Sequence, residues 1–323
     1  ICDETYSTNT VSMASWGYDA ELTSANPFLG GMYAVIESIS KIVAAGGRFQ
    51  DCYLTFQEYF EKLGNDPLKW GKPLSALLGA FEAQCQLEIA AIGGKDSMSG
   101  TFNEINVPPT LVSFVVTTGN ANNIISPELK KTNSYLYLYK MAVDHKHLPD
   151  WNKLKNDWNL IASLIHHKKI ISAKTIKKGG VAVALAKMSF GNKIGFEICT
   201  GENLLSESIG NMVFESTDLL DGNFILIGKT NESTRLTFNE IAIEIEEAIN
   251  SWTQTFENLF PTTTATEKHD IPAIHTSSKT IKNIGFGKPT VVLPIFPGTN
   301  CEYETANAFE KELPTNNEPN KPG

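Results

Sequence analysis

Apolar residues in the first 120 positions follow the period of a helix in some stretches and that of a strand in others. From Met32 to Val43 they recur every three or four positions, which predicts a helix with a buried face that Gly46 and Gly47 would end. From Thr110 to Thr118 they form a β-branched run, which predicts a buried strand. The first segment is therefore expected to mix helices and strands.

A second helix is predicted to begin at Pro73, because the first position of a helix tolerates a residue without an N–H. Its larger apolar residues share one face: Leu74, Leu77, Leu78 and Phe81. Residues 89–92 then predict a short buried strand that leads into Gly93 and Gly94.

Residues 118–131 are rich in Asn, Gly and Pro, which predicts a domain boundary. Beyond them, strands and helices are expected to alternate. The strands are predicted at 134–140, 169–172, 194–199, 212–215 and 224–228, and the helices at 152–166, 179–189 and 239–260. Because residues 134–140 alternate at period two, that strand is expected to bury one face only.

The end of the chain predicts the opening of a further domain. Residues 262–266 are expected to be a polar linker, 290–296 a strand, 297–301 a tight loop, 302–313 a helix and 314–323 a disordered tail. One strand and one helix cannot complete a sheet, so residues 286–323 are predicted to be a truncated domain. The two domains before it are predicted at 1–120 and 121–285. The first residue is Ile1 and not Met, so we expect the chain to begin within a longer protein.

Composition and charge narrow the functional classes. Hydrophobic residues make up 41% and charged residues 20% of the chain, as in globular proteins, and no run of about 20 apolar residues predicts a membrane span. The 27 basic and 36 acidic side chains give a net charge of −9, which disfavours nucleic acid as a partner. The five cysteines are scattered without a CxxC pair, which favours a cytoplasmic location over a disulfide framework or a zinc site.

No common catalytic centre is evident. The six histidines lack HExxH spacing, and no GxSxG elbow occurs. Cys301 has no histidine after it in the chain. The prediction is therefore that this chain carries no catalytic residue of its own.

Three groups have the chemistry to bind a phosphorylated ligand. Glycines that free backbone N–H groups, a lysine and a hydroxyl occur together in Gly93, Gly94, Lys95, Asp96 and Ser97. Glu37 and Lys41 share a helix face at a spacing of four. Lys174, Lys177 and Lys178 precede a predicted helix N-terminus. Each group also has an ordinary interpretation: a solvated glycine turn, a surface ion pair and a solvated basic turn.

Five segments together resemble phosphoribosylformylglycinamidine synthase, and they occur in the family's order. They are 25–47, 54–80, 90–102 with its specific GGKDSMSG, 105–114 and 291–309. The chain resembles the second synthetase-like half of the family's large single-chain form, followed by the start of its glutaminase domain. The resemblance implies a mixed α/β and α+β class with the two-domain aminoimidazole ribonucleotide synthetase-like (PurM-like) fold.

The resemblance also implies a function. The family's ligase uses ATP, Mg²⁺ and glutamine to convert formylglycinamide ribonucleotide to formylglycinamidine ribonucleotide in purine biosynthesis. This half would be structural and inactive alone, because the nucleophilic cysteine of the glutaminase would lie beyond the chain. Its partners would be the first synthetase half and the glutaminase, and an isolated chain would pair its exposed sheet with a second copy.

Departures from the family pattern affect the metal. Family members that hold magnesium and ADP in this half carry a motif like EALTN, and the matching segment here is Glu37-Ser38-Ile39-Ser40-Lys41. They also carry a HDxSDGG loop, whose two acidic positions are Thr175 and Lys178 in this chain. Lysine offers no oxygen to Mg²⁺ but can offset phosphate charge. The prediction is that the Mg²⁺ site is lost, with Glu37 a vestigial ligand, and that ADP or another anion binds to Lys41, Lys95, Lys177 and Lys178.

Two alternatives remain open at this point. One is a stand-alone ATP-using kinase or synthetase of the same superfamily, whose aspartate-rich metal sites contrast with the TIKKGG loop here. The other is a nucleotide-sensing regulatory module. Binding of a purine nucleotide that alters ammonia transfer in the intact enzyme would favour the second.

Overall fold

The computed structural model describes residues 8–222, 224–261, 291–296, 299 and 301–312. The chain separates into two compact units, Ile1–Thr262 and Thr263–Gly323. The larger unit contains two main sheets, one from strands before residue 121 and one from strands after residue 134. None of the described helices is long and apolar enough to cross a membrane.

The first half of the larger unit is a four-stranded sheet covered by helices on one face. Its elements are β1 (Thr10–Gly17), α1 (Ala20–Ala25), α2 (Pro27–Ala44), β2 (Tyr53–Tyr59), α3 (Pro67–Leu87), β3 (Ala91–Lys95), β4 (Thr101–Phe102), β5 (Ile105–Asn106) and β6 (Thr110–Asn120). The strand order is β1-β6-β2-β3, antiparallel except for the parallel pair β2 and β3, while β4 and β5 form a separate hairpin.

Helix α2 is the centre of this half and confirms the helix predicted from Met32 to Val43. Pro27 occupies its first turn, and the side chain of Asn26 caps it by accepting a hydrogen bond from the N–H of Leu29. Most of the helix from Gly30 to Ala44 is buried, because α3 covers one side and the inner face of the sheet covers another.

The sheet itself is buried on one face only. Along β6, Leu111, Ser113 and Val115 point inwards, whereas Val116 is exposed. The outer face carries large apolar side chains that remain exposed, among them Trp16, Tyr53, Ile92 and Val116. An apolar sheet face of this kind is typical of an interaction surface.

Two predictions in this half were wrong. Helix α3 begins at Pro67, six residues before Pro73, because Asp66 caps it, and the face that carries Leu74, Leu77, Leu78 and Phe81 is exposed. The strand predicted at 89–92 is β3, which includes both glycines and lies at the exposed edge of the sheet. Strands β1 and β2 were not predicted.

The second half is a seven-stranded sheet in the order β13-β12-β9-β11-β7-β10-β8. Its elements are β7 (Tyr135–Tyr139), α4 (Trp151–His166), β8 (Ile170–Thr175), α5 (Gly180–Phe190), β9 (Gly195–Ile198), β10 (Met212–Ser216), β11 (Phe224–Asn231), β12 (Arg235–Phe238), β13 (Ile241–Glu244) and α6 (Ile245–Gln254). Strand β7 is buried on both faces because Tyr137 and Tyr139 pack into one hydrophobic cluster while Leu136 and Leu138 pack into another, so the prediction of one exposed face was wrong. The helix predicted at 239–260 is strand β13 followed by the shorter α6.

Within the smaller unit, the predicted helix at 302–313 is confirmed as α7 (Glu302–Glu312). Val291–Phe296, predicted as a strand, has no regular secondary structure. The predicted linker at 262–266, most of the loop at 297–301 and the tail at 314–323 lie outside the described residues.

Candidate functional site

A buried carboxylate, Glu37, marks the point where α2 meets the end of β1. The side chain of Glu37 is 1% exposed, and its Oε2 accepts a hydrogen bond of 3.0 Å from the N–H of Tyr18. Gly17 allows this close approach, since a Cβ there would lie 2.2 Å from the carbonyl oxygen of Ala34 and 2.8 Å from Cβ of Glu37. A buried carboxylate requires a compensating positive charge.

Two lysines supply that charge. Lys41 Nζ lies 2.7 Å from Glu37 Oε1, as the spacing of four predicts, and Lys177 Nζ lies 2.8 Å from the same oxygen. Both ammonium groups also lie over the ring of Trp16, at 4.4 and 5.3 Å from its centroid. Lys177 belongs to the turn between β8 and α5, so this contact joins the two halves of the larger unit.

Backbone carbonyls hold the two ammonium groups in place. Lys41 Nζ donates to the carbonyl oxygen of Trp16 at 2.6 Å, and Lys177 Nζ donates to that of Tyr18 at 3.2 Å. Burial lowers the pKa of Lys41, Glu37 opposes that shift, and the nearby Lys177 adds to it. The arrangement around Glu37 is therefore a fixed cluster of charges and not a pair of mobile surface lysines.

One further lysine, Lys174, lies close to Lys41. Burial lowers the pKa of Lys174 on β8, and repulsion from Lys187 and Lys41 lowers it further. Among the described residues, no hydrogen bond or ion pair reaches the ammonium group of Lys174. A half-buried ammonium group without a partner favours the binding of an anion.

A cavity of about 600 Å³ opens between α1, α2 and the second half. Leu22, Leu29, Met141, Val143 and Ile209 give it an apolar wall, and its polar groups include Asp19, Tyr33, Glu207 and Asn211. A volume in this range with a few polar groups is typical of a small-molecule site.

The acidic end of the cavity lies next to the lysines. Asp19 is buried, and its Oδ1 caps α1 by accepting from the N–H of Leu22 at 2.8 Å. Burial raises the pKa of Glu207, Asp19 raises it further, and Lys178 and Lys177 act in the opposite direction. Lys178 also pairs with Glu21 at 2.6 Å, and this hydrogen bond raises the pKa of Lys178.

The glycine loop lies elsewhere. Gly93, Gly94 and Lys95 are exposed on edge strand β3, and Asp96 follows it. The N–H of Ser97 donates to the carbonyl oxygen of Glu58, which fixes the loop against β2. Burial raises the pKa of the Glu58 carboxyl to about 7, with Asp96 contributing.

The structure thus brings together only some of the predicted site residues. Glu37 pairs with both Lys41 and Lys177, and Lys178 pairs with Glu21, which lines the cavity. No hydrogen bond or ion pair within the described ranges connects Lys95 to these residues. Sequence reasoning missed Trp16, Asp19 and Glu207, which nothing in the sequence pattern singled out. Lys174 belongs to the basic segment that was predicted as a possible anion site.

The residues around Glu37 do not fit a magnesium ion. Mg²⁺ requires several oxygen ligands, and here the position next to Glu37 Oε1 is filled by two ammonium groups. Across the described part of the chain, no cluster of three or more His, Cys, Asp or Glu side chains could hold a metal.

The fold is the PurM-like fold. It is shared with the structure of Thermotoga maritima PurL complexed with FGAR, which is 11% identical, with a TM-score of 0.59 over 73% of this chain and 45% of that one. The AMPPCP complex of the same protein matches with a TM-score of 0.59 over 93% of this chain and 51% of that one, and the ADP complex with 0.57. At this identity the likeness establishes the fold alone.

Sequence comparison identifies particular relatives. The chain is 25% identical to phosphoribosylformylglycinamidine synthase subunit PurL of Lactobacillus delbrueckii subsp. bulgaricus over 262 residues, 69% of this chain and 34% of the relative. The same subunit of Pelagibacter ubique is 24% identical over 289 residues, 78% of this chain and 39% of the relative. The chain therefore spans little more than a third of the length of these relatives. No protein-family model matches it.

Proposed function

We propose that this chain is part of a phosphoribosylformylglycinamidine synthase, the ATP- and glutamine-dependent ligase of purine biosynthesis. It corresponds to the second synthetase-like half and the start of the glutaminase domain in the large single-chain form. The support is similarity to PurL subunits over 69% to 78% of the chain, together with the shared fold. Its role in the ligase is to hold a ligand and to complete the architecture, since no catalytic group was found in its sequence.

The ligand of this half is a purine nucleotide, such as ADP, bound without Mg²⁺. Structures of the related Thermotoga protein are complexes with ATP and with ADP. The apolar wall of the cavity suits a purine base, and the Asp19 and Glu207 carboxyl groups suit ribose hydroxyls, which acidic side chains commonly bind. Lys177 and Lys178 lower the pKa of Glu207 and so lie near this cavity, and Lys174 lies near Lys41; these lysines would offset phosphate charge.

The observation that carries this proposal is the occupation of Glu37 Oε1 by Lys41 and Lys177. In a metal-dependent site a carboxylate at this position would bind the cation that bridges to phosphate. Here lysine ammonium groups take the place of that cation. The charge needed for phosphate is built into the protein.

Calorimetric titration of the chain with ADP tests the proposal. We expect the same affinity within about twofold in EDTA and in excess Mg²⁺, and a loss of about tenfold in Lys174→Ala, roughly the worth of one charge-assisted contact. Lys169→Ala is the matched control, because Lys169 is an exposed lysine immediately before β8. Binding that requires Mg²⁺ would contradict the metal-free site, and equally strong binding by Lys174→Ala would contradict the role of Lys174 in holding phosphate.

The outer face of the first sheet is the surface for a homologous synthetase half. Trp16, Tyr53, Ile92 and Val116 are exposed there, and covering them would remove apolar surface from water. In the intact ligase the partner is the first synthetase-like half of the longer protein, and an isolated chain pairs with a second copy of itself. Val116→Glu is expected to abolish this pairing in light scattering, and an unchanged mass would contradict it.

A further inference from the structure

Helix α3 is apolar on two opposite faces. One face packs against α2 through small residues, of which Gly79 is the closest, since a Cβ there would lie 1.8 Å from the carbonyl oxygen of Phe28. The other face points to solvent and consists of larger residues. We call it the α3 ridge: Trp70, Leu74, Leu77, Leu78, Phe81 and Cys85.

The α3 ridge is continuous and uncharged. Its members follow the i, i+4, i+7, i+8 spacing of one helix face, and both Trp70 and Phe81 remain more than half exposed, at 55% and 58%. The charged residues of the same segment turn away: Lys72 pairs with Glu61, and Glu82 accepts a hydrogen bond from Gln86. These side chains expose on the order of 500 Å² of surface, as much as the largest apolar patch of a typical monomer.

The positions of the ridge residues are symmetric about the midpoint between Leu77 and Leu78. Two copies of α3 that cross antiparallel at Leu77 and Leu78 would place Leu77 against Leu78, Leu74 against Phe81 and Trp70 against Cys85. Each pair then occurs twice, as an isologous interface requires. The largest side chain, Trp70, meets the smallest, Cys85, so the two surfaces can interdigitate at similar helix separation along their length.

We infer that the α3 ridge is an interface with a second copy of this chain. Two copies together cover about 1,000 Å², the lower bound for a specific interface. No charge is buried, so the desolvation cost is small. This surface is separate from the outer face of the sheet, and the inference does not depend on the proposed enzyme.

Disulfide trapping tests the pairing directly. In the Trp70→Cys variant of the full chain, the new thiol should oxidise with Cys85 of a second copy under mild oxidant, giving a dimer whose linked peptides contain positions 70 and 85. These positions are 15 residues apart on one helix, about 22 Å, so a disulfide between them cannot form within one molecule. Trp70→Cys combined with Cys85→Ser should lose this link.

Three further variants make the result decisive. Leu160→Cys, an exposed leucine on α4, controls for random collision and should give no link to Cys85. Leu77→Lys with Leu78→Lys should weaken self-association at least tenfold in sedimentation, because four ammonium groups would then meet. Val116→Glu acts on the sheet surface, so when it is added to Trp70→Cys the link between positions 70 and 85 should remain. Loss of the sheet pairing and loss of the ridge pairing are therefore distinguishable. A monomer at about 100 µM after Val116→Glu, or equal linking by Leu160→Cys, would overturn the inference.

Discussion

Lys177 Nζ lies 2.8 Å from Glu37 Oε1 and joins the turn before α5 to the centre of α2. Lys41 reaches the same oxygen from within α2. The two ammonium groups lie beside this buried carboxylate and over the ring of Trp16. They neutralise the carboxylate as a bound cation would. The same contacts tie together the two halves that form the cavity.

Removal of the central charge is the first prediction. Glu37→Gln leaves two half-buried ammonium groups close together, and breaking a buried pair in this way costs about 3 kcal/mol of unfolding free energy. Urea denaturation at neutral pH measures it. The control is Glu88→Gln, whose carboxylate is 86% exposed and 3.9 Å from Lys155, so it should change stability by less than about 0.5 kcal/mol. Equal effects of the two variants would rule out the proposed role of the buried cluster.

Restoring oxygen ligands is the second prediction. Lys41→Asn, Lys177→Ser and Lys178→Asp together remove the ammonium groups from Glu37 and supply an amide, a hydroxyl and a carboxylate. We expect ADP affinity in this triple variant to rise at least tenfold with Mg²⁺, whereas the unaltered chain shows no such rise. Calorimetry with Mg²⁺ and with EDTA measures both. A triple variant that folds, binds ADP and ignores Mg²⁺ would show that the lysines do not occupy a former metal position.

The pH dependence of stability is the third prediction, and it concerns Glu58. Its folded pKa is raised to about 7 by burial and by Asp96, above the ordinary 4.5. The stabilising contribution is therefore complete below about pH 4.5 and is lost as pH rises through 7. Glu58→Gln should remove this loss, so that at pH 8 the variant exceeds the unaltered chain by about 1 kcal/mol more than at pH 5, after allowance for partial exposure.

Asp96→Asn is the companion variant for Glu58. It removes the nearby negative charge and leaves the burial, so it should shift the midpoint of the pH-dependent loss to lower pH without abolishing it. Unfolding free energies measured between pH 5 and 8 separate the two causes. A midpoint that does not move would leave burial as the sole cause of the raised pKa.

The sequence predicted part of this structure for identifiable reasons. The helix from Met32 to Val43 was predictable because its apolar period reports burial directly, and the contact of Lys41 with Glu37 follows from a spacing of four. The approach of Lys177 to Glu37 was not predictable from local spacing, because it depends on how the two halves pack. The motif resemblance placed Lys177 and Lys41 in one site, but it placed Lys95 there as well, and no contact of Lys95 with them appears among the described residues.

Helix α3 shows why an apolar pattern can mislead. The helical spacing places Leu74, Leu77, Leu78 and Phe81, the larger apolar residues, on one face. The structure instead buries Ala76, Gly79, Ala80 and Ala83, because small residues allow α2 and α3 to approach closely. A helix with two apolar faces has no single periodicity that identifies the core side. The close approach, and not hydrophobicity, decides which face is inside.

A pair of glycines on α3 provides the last prediction. Gly79→Ala places a Cβ 1.8 Å from the carbonyl oxygen of Phe28, so the helices must separate, at a cost of about 2 kcal/mol. Gly71→Ala lies in the same helix with nothing within 4 Å, and it should stabilise the chain by about 0.5 kcal/mol through helix propensity alone. Thermal and urea unfolding of the two variants measure this difference. Both variants replace a helical glycine by alanine, so opposite changes in unfolding free energy can arise only from the surroundings of the two positions. A stabilising Gly79→Ala would show that α2 and α3 pack less closely than described.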